Sequence, residues 1–218
     1  YMPDQDWGFR LQGLDLDWSA SEIRPLDVLF SQRLQSQWFD FDVSMNHLNL
    51  SLLSDLIEQT NVINEGVLKT IDQLRPRGDL SVLTFGHNQS GYFASANLTD
   101  IDIEPFKGIP GVRGVNGYVE IEGNKGLFHI DDKDGFSLLF PAVYRDYLRL
   151  EQALGTVYIQ ANAKEKTTIV RSSVIDAKTE AGAASFLFSV KQDNSEQKSR
   201  PTVTLIVGAN NIDAAYTD

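Results

Sequence analysis

Along most of the chain, hydrophobic residues alternate with polar ones, the period of a β-strand with one covered face. Trp7, Phe9 and Leu11 share one phase, and Leu14, Leu16 and Trp18 share the other. Gly13 sits at the switch, which predicts a bulge or sharp bend inside the run. A second run places Phe39, Phe41, Val43 and Met45 in one phase and Leu48, Leu50 and Leu52 in the other, changing near Asn46-His47. From Leu80 onward the same alternation predicts strands at Leu80–Phe85, Tyr92–Leu98, Tyr118–Ile121 and Leu127–Ile130. Further strands are predicted at Phe136–Phe140, Thr156–Ala161, Thr167–Ile175, Ala184–Lys191 and Pro201–Val207. Turn chemistry separates them: Asn88-Gln89-Ser90-Gly91, an acidic hairpin turn from Asp131 to Gly135, Glu180-Ala181-Gly182, and Asp193 to Ser199.

The period changes between Ser51 and Leu74. Leu52, Leu53, Leu56 and Ile57 fall on one helical face and Val67, Leu68, Ile71 and Leu74 on another, predicting one or two helices within 51–74. Ser51 or Ser54 can cap the first, Asn61 and Asn64 mark a break, and Pro76 with Gly78 stops the second. Residues 51–78 thus read as a helical insertion. Tyr144 to Leu154 suits a helix or a strand equally.

The run from Phe93 to Ile130 holds a Pro110-Gly111 turn and single glycines at Gly114, Gly117, Gly123 and Gly126. It carries no obvious nucleophile, base or metal ligand. Its glycines run from strand to strand and never open a helix, so a phosphate-binding loop fails on context. The run reads as a device for laying strands side by side, and function is expected in a surface.

Composition narrows the classes. The chain has 218 residues, 42% hydrophobic, with net charge −11 and pI near 4.7. It contains no basic block, which argues against nucleic acid and against polybasic docking on anionic lipid. The absence of cysteine removes disulfides, zinc-thiolate sites and a thiol nucleophile. No apolar run reaches the ~18 residues of a membrane span. The abrupt ends, Tyr1-Met2-Pro3 and Ala215 to Asp218, read as a piece of a longer protein whose membrane anchor lies outside it.

Candidate chemistry is thin. His47, His87 and His129 are scattered and form no H-x-x-x-H pair, so no metal is expected. Asp131-Asp132-Lys133-Asp134-Gly135 lacks the alternation and distal glutamate of a calcium loop. Glu120 and Glu122 share one strand face, about 7 Å apart, within the range of glycosidase pairs, but solvated acidic alternation is far commoner. Arg77-Gly78-Asp79 spells an adhesion tripeptide, yet the helix stop accounts for Gly78. Sequons at Asn49, Asn88 and Asn97 matter only in a eukaryotic secretory setting. Trp7, Trp18 and Trp38 lie in alternating runs and read as core or rim. No catalytic residue and no cofactor is expected.

The last two runs are strongly apolar in one phase: Phe186, Phe188 and Val190, then Val203, Leu205 and Val207. A sheet built this way is apolar on one side. Val157, Ile159, Val119 and Ile121 are weaker members of the same surface, and each residue serves equally as ordinary core.

Taken in order, several segments resemble the AsmA-like superfamily of Gram-negative bacteria, and within it the YhdP type. They are Leu74-x-Pro76-x-Gly78-x-Leu80 into Leu83, the alternation from Phe93 and Ala94 into Leu98, Pro105-Phe106, and Ile109-Pro110-Gly111. Gly114, Gly117, Gly126-Leu127, Phe136 to Leu154, Gly155-x-Val157 and Asn211-x-Asp213 to Tyr216 continue the likeness over the C-terminal two-thirds. The resemblance implies a periplasmic protein anchored to the inner membrane, with a long sheet curled into a groove, associated with phospholipid movement toward the outer membrane. It brings no catalytic residues with it.

The expectation is an α+β, mostly β fold. One elongated domain spanning 1–218 would form a curved, β-taco-like antiparallel sheet making a groove. Its expected function is a non-enzymatic section of a lipid bridge whose partners are phospholipid acyl chains and possibly other envelope proteins. A structural or adhesive β module binding an envelope protein or a glycan is the alternative, and a glycosidase-like β protein the third reading.

Overall fold

A computed structural model describes residues 6–14, 25–33, 40–51, 72–106, 110–139, 141, 145–162, 164–193, 195 and 201–210. Fourteen strands make one curved, antiparallel sheet that does not close into a barrel. They are β1 (Trp7–Leu14), β2 (Leu26–Arg33), β3 (Asp40–Asn49), β4 (Arg77–Asn88), β5 (Gly91–Ile103), β6 (Gly111–Glu122) and β7 (Lys125–Asp132). Then follow β8 (Phe136–Leu139), β9 (Leu148–Leu150), β10 (Gln152–Asn162), β11 (Thr167–Ser172), β12 (Ile175–Thr179), β13 (Gly182–Asp193) and β14 (Thr202–Asn210).

The spatial order begins β1-β2-β3-β4-β5-β6-β7-β10-β11-β13, with β14 on the far side of β13. Most neighbours are also neighbours in sequence. Asn88 faces Gly91 and Glu122 faces Lys125 across two-residue turns. In the second, Gly123 adopts φ 55, a region that L side chains resist. The Phe93–Ile130 run supplies β5, β6 and β7, the middle of the sheet.

Three sequence expectations change. The Asp131–Gly135 turn is no hairpin, because β8 pairs with β6 and β9 instead of β7. Gly135, at φ 82, and two backbone amides bound by Asp132 steer the chain away from β7 there. Thr167–Ile175 breaks at Ser173-Val174 into β11 and β12, which pair in turn along the same edge of β13. Leu26–Arg33 is a strand that alternation did not single out, and Leu148–Leu150 resolves the open 144–154 segment as strand.

The helices expected within 51–74 fall mostly outside the described residues. Helical backbone is present at Leu50–Ser51 and at 72–74, and Arg75 then turns to φ 44 before Pro76. Because Asn49 faces Asp79, the 50–76 connection joins two adjacent strands.

A crease of bulges crosses the sheet. The register slips in β1 beside Gly13 (φ 62), in β4 at Val82 (φ 51), in β5 at Asp100 (φ 52) and in β6 at Gly114 (φ 72). A bulge leaves a backbone N–H without its ladder partner, and short polar side chains take those groups. The Gly13 N–H donates to Asp27 Oδ1 at 2.7 Å, and the Asp27 N–H to Asn46 Oδ1 at 2.9 Å. The Asp100 N–H donates to Asn116 Oδ1 at 3.0 Å, and the Gly114 N–H to Asp102 Oδ1 at 2.9 Å.

The core lies on and beyond this crease. Leu80, Leu83, Ala96, Ile101, Val115, Ile130, Phe136, Leu150, Ala153, Ile175 and Ala177 form one buried cluster. Strands β8 and β9 contribute Phe136 and Leu150 to it, so they cover one end of the sheet. Gly155 makes room for its neighbour, since a Cβ there would lie 2.6 Å from Ile175 Cγ1.

Candidate functional site: one apolar sheet face

Directly opposed residues in paired strands project to the same face of a sheet. Ile121 faces Gly126, Gly126 faces Ile159, Ile159 faces Val170, Val170 faces Val190, and Val190 faces Val203. Two residues along each strand, Val119 faces Phe128, Phe128 faces Val157, and Val157 faces Ser172. The Ser172 Oγ receives the Phe188 N–H at 2.8 Å, and Phe188 faces Leu205. Phe186 faces both Ile175 and Val207. Alternation within each strand joins these rows, so all ten residues picked from the sequence share one face.

The face continues to the other edge. Ile121 faces Ala94, Ala94 faces Phe85, and Phe85 faces Val43. Val43 faces Phe30, which faces Phe9. Here the side chains are aromatic. Phe9 stacks on Phe30 with centroids 5.3 Å apart, Phe30 lies 6.3 Å from Phe41, and Phe41 meets Phe85 edge-on at 6.4 Å. Trp7 leans on Phe30 at 5.3 Å. These aromatics were absent from the ten candidates. Their alternation was visible, but only the register shows that it has the same phase as Phe188 and Leu205.

Burial grades the face. Val119, Val157, Phe186 and Phe188 pack against the buried cluster and are half-buried. Val190 is half-buried as well. Ile159 is 43% exposed, Ile121 46%, Val203 51%, Leu205 51% and Val207 61%. Exposure is greatest toward the ends of the central strands, at Ile121 and Ile159, and along β14, where Val207 is open even though it faces half-buried Phe186.

The reverse face is polar in its middle. Glu120 and Glu122 lie there, exposed, with Glu122 opposite Lys125 and the Tyr118 hydroxyl donating to Glu120 Oε2 at 3.2 Å. His129 Nδ1 lies 3.0 Å from Thr156 Oγ1 on the same side. Asp132 is 1% exposed and fully engaged. Its Oδ2 accepts the Asn116 backbone N–H at 2.8 Å and Nδ2 at 3.0 Å, and its Oδ1 accepts the Asp134 and Gly135 N–H groups. Its role is to pin the chain between β7 and β8. Among the described residues no three His, Asp or Glu side chains gather as metal ligands. Trp18 and Trp38 lie outside the described residues.

The family model described as YhdP protein matches residues 2–218. The chain belongs to the YhdP family. This chain is thus an envelope protein of the AsmA-like type, and the YhdP family is not known as enzymatic. No curated protein and no solved structure gave a significant match. None of its described helices is long and apolar enough to cross a membrane.

Proposed function

We propose that this chain is a non-enzymatic section of a periplasmic lipid-transfer bridge, shielding phospholipid acyl chains along the apolar face. The single observation that carries the reading is the in-register face from Phe9 to Val203, apolar throughout and half-open along its rim. Each methylene taken from water contributes ~0.8 kcal/mol, so even partial cover of an acyl chain is worth several kcal/mol. A row of small aliphatic tips offers contact everywhere and a deep pocket nowhere, which suits a ligand that must move on. From β6 to β14 the row crosses five strand spacings, about 24 Å. Acyl chains lying along the row run perpendicular to the strands, with Ile121, Ile159, Val190 and Val203 beneath them and Val119, Val157, Phe188 and Leu205 beside them. Phe186 and Val207 extend the same surface by one more row. In the full-length protein an inner-membrane anchor outside this chain holds the bridge in the periplasm.

Native mass spectrometry and lipid extraction of the purified chain test the reading. Phospholipid retained through purification, and displaced by a spin-labelled or fluorescent phospholipid, is the expected result. Reproducible absence of lipid, with no uptake of the labelled lipid, removes the proposal for this chain and leaves the β-module reading.

A further inference from the structure

Beyond the crease, β8 lies between β6 and β9, with Arg113 opposite Ser137 and Ser137 opposite Arg149. Phe136, Leu138 and Leu150 pack into or against the core cluster, so the alternating Ser137 and Arg149 project from the reverse face. Arg113 shares that row, because opposed residues project to one side. Two strand spacings, about 10 Å, separate the backbones of the two arginines. The Arg113 side chain closes much of that gap. Its guanidinium carbon lies 4.1 Å from the centroid of the Tyr147 ring, so it reaches across β8 to the residue that precedes β9. Arg149 stands two residues further along the same segment. Its Nη2 donates to the Asp134 carbonyl at 3.4 Å, a long bond that leaves its other donors open.

No carboxylate neutralises this pair. Between described residues the ion pairs are Lys133–Asp131 and Lys178–Glu151, and neither involves an arginine. Asp102, in the strand on the other side of Arg113, turns its Oδ1 to the Gly114 N–H at 2.9 Å. Both arginines are exposed, and the Tyr147 hydroxyl, on the ring that Arg113 covers, is buried without a hydrogen-bond partner. We propose that Arg113, Ser137 and Arg149 form a binding site for a phosphate group. Two guanidiniums drawn toward one strand repel each other, and an anion between them reverses the sign of that interaction. Phosphate oxygens also match the forked donors of arginine, and the serine hydroxyl adds a third donor. The Tyr147 ring holds Arg113 across β8 beforehand, so binding costs that side chain little of its freedom. The phosphate is either free or carried on a lipid headgroup. The site lies on the face opposite the apolar row and stands whether or not that row holds acyl chains.

Amide chemical-shift titration of the purified chain at constant ionic strength tests the site. The probes are inorganic phosphate, glycerol 3-phosphate, and dihexanoyl phosphatidylglycerol below its micelle concentration. Saturable shifts at Arg113, Ser137 and Arg149 are expected with phosphate probes and not with chloride. Arg113→Gln and Arg149→Gln are each expected to weaken binding about tenfold, the loss of one charge-assisted hydrogen bond. Both side chains are exposed, so an unchanged urea midpoint shows that these variants remain folded. Arg171→Gln removes an arginine elsewhere on the reverse face and should leave the affinity as it was. Equal affinity for inorganic phosphate and the short-chain lipid identifies free phosphate as the ligand. Tighter binding of the lipid, lost in the same two glutamine variants, identifies a headgroup. Failure of all three probes to saturate overturns the site. So does full affinity in both glutamine variants, or an equal loss in Arg171→Gln. Inorganic phosphate has no acyl chain, so its binding is decided separately from lipid retention on the inner face.

Discussion

Ile175 and Ile159 project from the same sheet face, within adjoining strands, yet one is 2% exposed and the other 43%. Ile175 lies beyond the crease, against Gly155 and the cluster that includes Phe136, Leu150 and Ala153. Ile159 lies on the straight part of the ladders, opposite Gly126 and Val170, with water on its outer side. Residue type is identical and strand alternation equivalent. What separates them is the geometry across the sheet: bulges bend one end into a packed core and leave the other open. The covered end is where stability resides, and the open end is free to meet something else.

That division makes a quantitative claim. Ile175→Ala removes a buried side chain next to a glycine that cannot fill the gap, and is expected to cost about 3–4 kcal/mol in urea unfolding. A loss below about 1 kcal/mol would mean that the end beyond the crease is not packed as a core. Asp132 comes next. Asp132→Ala leaves the amides of Asn116, Asp134 and Gly135 without their acceptor at a buried site, with an expected cost of about 3 kcal/mol. Amide hydrogen exchange should show the loss as faster exchange at Asn116 and Gly135. Unchanged protection at both would remove Asp132 from its pinning role.

Much of this fold was legible in the sequence because alternation is local. The break at Gly13 was visible as a phase change, and the register slips there; the change near Asn46 breaks nothing, since β3 runs through it without a slip and Asn46 instead accepts the Asp27 N–H. The turns at Asn88–Gly91 and Glu180–Gly182 carried their own chemistry. The ten apolar candidates also came from phase alone, and the register puts all ten on one face. Other features depended on distant partners. Leu26–Arg33 was overlooked because Leu29 breaks its alternation; that leucine sits 38% exposed on the reverse face. The Asp131–Gly135 turn had hairpin composition, but its outcome was decided by Asn116, 16 residues upstream, and by the pairing of β8 with β6. Nothing in the types of Val157 and Val203 says that the first packs against the core and the second does not. That distinction comes from the strand each occupies, since Val157 is paired on both sides in β10 and Val203 on one side among the described residues in β14.

The crease itself can be sharpened. Val82 is a β-branched residue at φ 51 and is 67% exposed, so it is strained and buries little. Asparagine accepts left-handed backbone far better than valine does. Val82→Asn is expected to raise stability by about 1 kcal/mol, seen as a higher urea midpoint with an unchanged slope. A destabilised variant would show that the bulge in β4 is held by valine packing and not merely tolerated.

The smallest effect on stability is expected at the rim, and it is the most telling for function. Ile121→Thr with Ile159→Thr keeps two β-branched residues in their strands while removing apolar surface that is already 46% and 43% exposed. Folding free energy should change by less than about 1 kcal/mol. If the open rim is where acyl chains lie, phospholipid recovered per chain should fall by at least half, because the two positions occupy the middle of the row between Phe85 and Val203. Glu120→Gln on the reverse face alters a nearby strand residue without touching the row and should leave the lipid content as it was. Equal lipid loss in both variants would mean that the sheet carries lipid by its stability or charge. Loss confined to the rim pair ties it to the open apolar surface around Ile121 and Ile159.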